Sequence, residues 1–206
     1  GGGAVWAEDE VERIRAVAEA RGLAVHLDGA GLWNAQVARG ASVGTDADWS
    51  GYGRRFDSIS VCFSKGLGAP VGSVLVGSAD FIRRAHRVRK VMGGGMRQIG
   101  GLAAACLFAL DHHLPELHRD HERARRLGEA LLAHPDFTGL EPVETNIVIA
   151  ELRPGVSAAD AARELEERGM RCMAFGPTKI RWVLHRDLND AHLDRAMAVL
   201  EAWRTA

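Results

Sequence analysis

The chain has 206 residues, 47% of them hydrophobic, which is enough to bury a sizeable core in one large domain or two small ones. Its formal net charge of -1 gives no electrostatic reason to expect nucleic acid or an anionic membrane as partner. Cys62, Cys106 and Cys172 are odd in number and widely spaced, which fits reduced thiols in the cytoplasm better than a disulfide framework, and no run approaches membrane-spanning length.

The opening residues GGGAVW hold no initiator methionine and no element that could start a domain, so the chain is expected to begin inside a larger protein. From Glu8 to Arg21 an apolar stripe of Val11, Ile14, Val17 and Ala18 predicts a helix, closed by Gly22 at a position that favours positive φ. LAVHLD (Leu23 to Asp28), DSISVCF (Asp57 to Phe63) and VGSVLVG (Val71 to Gly77) read as strands, the first of them buried. Ser78 and Asp80 start another helix, with Phe81, Ala85 and Val88 on one face. Helix and strand alternating in this way predict an α/β domain whose sheet is largely parallel.

The helical stretch from Gly100 to Pro135 carries Pro115, which should kink or split it and makes it a candidate link between domains. Beyond it, TNIVIA is a strand and SAADAARELEERG a helix, with Ser157 and Asp160 at its start and Gly169 at its exit. MRCMAF and IRWVLH are strands, and a last helix runs from about Asp190 to Trp203. This β-α-β-β-α pattern is enough for a small α+β domain.

Lys65, in SKGLGAPVG, follows an apolar strand and precedes Gly66, Gly68 and Gly72. A lysine at the C-terminal end of a parallel strand stands where α/β sheets place their ligands, and a partly buried amine can form a Schiff base with a carbonyl. Taken alone, a lysine in a glycine loop reads rather as one that snorkels to solvent. Asp28 ends the strand LAVHLD and should lie at the same sheet edge, although an N-cap for the LWNAQVA segment is as good a reading of that residue alone. As a pair, the two supply what pyridoxal phosphate requires: a lysine for the aldehyde and an aspartate to keep the pyridine nitrogen protonated.

The segments HLDGAGLWNA, SVCFSKGLGAPVGSVLVG, RKVMGGGMRQ, VETNIVIA and IRWVLHRD occur in the order and spacing of the low-specificity L-threonine aldolases, in the β-eliminating lyase group of fold-type I pyridoxal phosphate enzymes. The chain resembles that family over essentially its whole length. The resemblance implies a partial cofactor-binding large domain over 1–118 with a mainly parallel sheet, then a linker helix and a small α+β domain over 119–206. It implies retro-aldol cleavage of L-threonine, L-allo-threonine and related β-hydroxy-α-amino acids to glycine and an aldehyde. A cytoplasmic homo-oligomer is implied as well, a tetramer or dimer of dimers with sites at subunit interfaces.

By the same resemblance, Lys65 carries pyridoxal 5'-phosphate as a Schiff base, Asp28 pairs with the pyridine nitrogen, and Lys90 and Arg97 lie near the cofactor. Arg181 binds the substrate carboxylate, for which a guanidinium fork is well shaped, whereas by itself it reads as a surface arginine on an edge strand. The arginines before Lys90 lack interleaved aromatics and read as a solvated helix face, and the histidines at 112, 113, 118 and 121 lack a zinc-site signature, so no nucleic acid and no metal are expected. Two departures stand out. Gly31 occupies the place of an arginine in the family's aspartate-glycine-alanine-arginine motif, and the family's N-terminal half, with its phosphate-binding turn and stacking histidine, is absent. The alternatives are a truncated non-catalytic member with a structural or oligomerising role, and another pyridoxal phosphate lyase of the same group.

Overall fold

The computed structural model describes residues 2–40 and 49–205. The chain divides into two compact units, one spanning Trp6–Pro115 and the other combining Gly1–Val5 with Glu116–Ala206.

In the Trp6–Pro115 unit the order is α1 (Glu8–Ala20), β1 (His26–Gly29), α2 (Leu32–Ala38), α3 (Ser50–Gly53), β2 (Ser58–Cys62), β3 (Ser73–Gly77), α4 (Ala79–Val91) and α5 (Gly100–His112). Glu8, Asp9 and Glu10 place negative charge at the electropositive start of α1, and Gly22 closes its end at φ +64°. The sheet runs β1-β2-β3, and its two pairings differ: β1 and β2 are parallel, β2 and β3 antiparallel. The expected largely parallel sheet is therefore mixed. A short connection explains this, because the chain returns from Cys62 to Ser73 through a tight turn, without the long crossover that a parallel neighbour needs.

Burial also departs from expectation. Ile59 and Val61 of β2 are buried, but β1 begins only at His26, buries only Gly29 fully, and leaves Leu23 before it 60% exposed. Of the α1 stripe only Val11 is buried, and β3 is exposed along its whole length.

The second unit is the better packed. Here α6 (Leu117–Ala133), β4 (Phe137–Leu140), β5 (Ile147–Leu152), α7 (Ala158–Glu167), β6 (Met173–Ala174), β7 (Lys179–Val183) and α8 (Asp190–Ala202) build an antiparallel sheet in the order β4-β5-β7-β6. Strand alternation sends Val148, Ala150 and Leu152 of β5 and Ile180 and Trp182 of β7 into one core with Leu127 and Leu131 of α6, Leu165 of α7 and Leu200 of α8. Pro115 does split the long helical stretch, through a single 3-10 turn at Leu114–Glu116. Strand β4 was not anticipated. FTGL holds a glycine and a register shift between Phe137 and Gly139, which obscure its alternation.

The start of α7 is capped by Ser157, whose hydroxyl accepts from Asp160 N, and α8 opens with a reciprocal box between Asn189 and His192. The C-terminal residues are fastened by Asp136, which accepts from Thr205 N (3.1 Å), Thr205 Oγ1 (2.6 Å) and Arg153 Nε (2.7 Å).

Candidate cofactor site

Asp28 and Lys65 belong to neighbouring strand ends. In the parallel pair Asp28 lies opposite Ser60, and Lys65 follows the last residue of β2 by three positions. Gly29 explains how the strands approach so closely after the aspartate: a Cβ there would stand 2.6 Å from the Ser60 carbonyl oxygen. Asp28 is not the N-cap of α2, a position that Gly31 holds. Its Oδ1 instead accepts from Ala30 N at 3.1 Å, which turns the chain immediately and holds the carboxylate at the strand end.

The lysine turn is tied at several points. Ala69 N donates to Phe63 O (3.0 Å) and Gly68 N to Lys65 O (2.8 Å), while Phe63 N reaches Gly72 O (3.0 Å). Gly68 and Gly72 hold φ of +68° and +125°, conformations costly for other residues. Leu67, fully buried, anchors the turn, and its carbonyl meets His113 Nδ1 at 2.6 Å. On the strand side Trp33 Nε1 donates to Cys62 O at 2.7 Å and packs its ring against Phe63. Lys65 itself is exposed, not partly buried as its sequence setting suggested. Neither the Trp33 bond nor the His113 bond could be read from sequence, since each joins residues dozens of positions apart with no local pattern.

Lys90 lies in the last turn of α4 and Arg97 just past the glycine run, both exposed. A Cβ on Gly95 would fall 2.6 Å from Lys90 Cδ, so the glycine lets the lysine stem lie across the run. Among the described residues no hydrogen bond or ion pair joins Lys90 or Arg97 to Asp28 or Lys65. Gly31 has open space around it, with nothing within 4 Å of a Cβ built there.

Arg181 sits in the other unit, on β7, in register with Ile149 and Met173. Ile180 and Trp182 point into the helical core, so alternation puts Arg181 on the opposite sheet face. Its Nε is buried and has no partner. Lys179, two residues earlier on the same face, is engaged by Glu141 at 2.7 Å, and this bond raises the lysine's pKa.

A structure from Exiguobacterium, assigned to the aromatic amino acid beta-eliminating lyases and threonine aldolases, superposes with a TM-score of 0.79 at 22% identity, covering 98% of this chain and 58% of that one. A Leishmania major threonine aldolase gives 0.73 at 20% identity, over 96% and 56%. The fold is that of the fold-type I pyridoxal phosphate enzymes.

The family model for beta-eliminating lyases matches residues 1–154, and the chain belongs to that family. Low-specificity L-threonine aldolase 1 of Arabidopsis thaliana is 40% identical over 196 residues, covering 93% of this chain and 53% of that protein. The low specificity L-threonine aldolase of Escherichia coli O157:H7 is 48% identical over 184 residues, covering 89% and 51%. The chain thus spans about half the length of the curated relatives it matches.

Proposed function

We propose that this chain carries the lysine, aspartate and arginine of a pyridoxal-phosphate-dependent threonine aldolase, which cleaves L-threonine, L-allo-threonine and related β-hydroxy-α-amino acids to glycine and an aldehyde. The observation that supports the reading is the parallel pairing of β1 with β2, with Asp28 opposite Ser60 and Lys65 three residues past the end of β2. The two groups suit the cofactor chemically: an amine for its aldehyde and a carboxylate to accept from its protonated ring nitrogen. When bound, the cofactor supplies an electron sink for the bond-breaking step.

Lys65, presented on its turn, would hold the cofactor through its aldehyde. Asp28, oriented by Ala30 N, would pair with the pyridine nitrogen and keep it protonated. Arg181 receives the substrate carboxylate through two parallel hydrogen bonds and so fixes the Cα–Cβ bond. Lys90 and Arg97 contribute positive charge towards the cofactor of a neighbouring copy in a homotetramer. Three free cysteines support a reducing, cytoplasmic setting, and among the described residues no helix is long and apolar enough to cross a membrane.

The test is cofactor uptake. Adding pyridoxal phosphate should produce a visible absorbance band that Lys65→Ala abolishes, and threonine should then yield glycine and acetaldehyde. A chain that takes up no cofactor, or an undiminished band in Lys65→Ala, would sink the proposal.

A further inference from the structure

The first described residues lie on the sheet face that carries Arg181. Thr145 Oγ1 donates to Gly3 O (2.8 Å), and Val5 N donates to Glu144 Oε2 (2.7 Å), stitching this strap to the chain that enters β5. Gly3 adopts φ +84°, and a Cβ there would meet Thr145 Oγ1 at 2.6 Å and Ile147 Cβ at 2.9 Å. A Cβ on Gly2 would meet Ile149 Cδ1 at 3.2 Å. Only glycine lets the backbone lie this close.

The strap has a visible effect. Ile149 is 1% exposed although it is outside the helical core, whereas Met173, on the other flank of Arg181, is 59% exposed. Cross-strand neighbours in register have side chains in mutual reach, so Arg181 is packed from the Ile149 side and open on the Met173 side. Its Nε is buried and has no hydrogen-bond partner.

We propose that Gly2 and Gly3 are positioning residues for Arg181: the glycine strap presses Ile149 against the guanidinium and thereby aims it at the substrate carboxylate. The inference rests on Arg181 as the carboxylate site. A side chain at position 3 lifts the strap, releases Ile149, and lets the long arginine stem sample rotamers in which its two donors no longer converge on one anion.

The experiment follows the Arg181 Nε–H signal by 1H–15N NMR in the 206-residue chain, assigned through its loss in Arg181→Lys, during titration with acetate. Acetate should shift the signal, and Gly3→Ala should weaken that binding at least fivefold, with Gly2→Ala intermediate. Gly169→Ala serves as control: Gly169 has φ +90° with open space around it in the same unit, so this variant takes on comparable backbone strain and should leave acetate binding unchanged. Acetate that never moves the Arg181 signal overturns Arg181 as the carboxylate site. Acetate that binds Gly2→Ala and Gly3→Ala as tightly as the parent, through an Arg181 signal that still responds, overturns the strap alone. A loss matched by Gly169→Ala also overturns it, because general destabilisation then explains the effect.

Discussion

His121 should make the unit around β5 and β7 acid-sensitive well above the carboxylate range. The imidazole is 4% exposed on α6, and burial pushes its pKa down to about 4, helped by the nearby positive charge of Arg125 and by His118. A histidine depressed in the folded state and ordinary in the unfolded chain, at about 6.5, costs stability as pH falls between the two values. The unfolded chain takes up the proton first. Integrating that difference gives a loss of about 2 kcal/mol between pH 8 and pH 5, approaching about 3 kcal/mol once pH has dropped below 4.

Two other groups in the same unit also respond to acid. Asp120 is raised, chiefly by burial and against the pull of Arg123, so keeping it ionised is a cost that acid relieves, opposing His121 at the lower end. Asp136 acts only below the ordinary aspartate value of 3.8, since it is held down to about 2. Urea unfolding followed by tryptophan fluorescence, which reports on Trp182 and Trp203 in this core, should show the midpoint falling by about 1 M between pH 8 and pH 5. In His121→Gln that fall should largely vanish. If His121→Gln keeps the full fall, the neutral buried histidine is not its cause, and the reasoning fails.

Leu67→Ala removes the fully buried anchor of the lysine turn and should cost about 2–5 kcal/mol in urea unfolding, while weakening the cofactor absorbance band more than a surface substitution does. Asp136→Asn should lower stability at pH 7 by about 1–3 kcal/mol, because burial is outweighed at this carboxylate by bonds from Thr205 and Arg153. That contribution is present above pH 3.8 and lost towards about 2, so parent and variant should converge in strong acid. Gly31→Arg enters open space and should leave stability within about 0.5 kcal/mol while tightening cofactor binding, as measured by the absorbance titration. Unchanged cofactor affinity would show that the missing arginine is of no consequence here.

The parts of the site legible in the sequence are those where backbone geometry restricts the choice of residue. Asp28 could be picked out because it ends a short apolar strand before a glycine, where a Cβ would stand 2.6 Å from Ser60 O, and the lysine turn because of its glycines, of which Gly68 and Gly72 hold positive φ. Strand direction was less legible: β3 has the apolar composition of a parallel strand but returns antiparallel beside β2. The burial of β1 and α1 was overestimated because an apolar stripe records a preference for cover without naming what provides it, and Ile14 at 44% and Leu23 at 60% remain exposed. Trp33 and His113 could not be found at all, since their bonds to Cys62 O and Leu67 O depend on tertiary contacts.

The two charged groups at the centre of the proposed chemistry are held by different forces, and this has a consequence for how the site would fail. Lys65 is positioned by glycine-permitted turns, one buried leucine and hydrogen bonds to main-chain carbonyls. Arg181 depends on a sheet whose unit also contains His121, Asp120 and Asp136, the groups whose ionisation is coupled to burial. Acid between about pH 6.5 and pH 4 therefore draws on the stability of the unit that carries Arg181. Carboxylate recognition by Arg181 should then fade with acid in that range, a loss that acetate titration across a pH series would follow and that His121→Gln should move to lower pH.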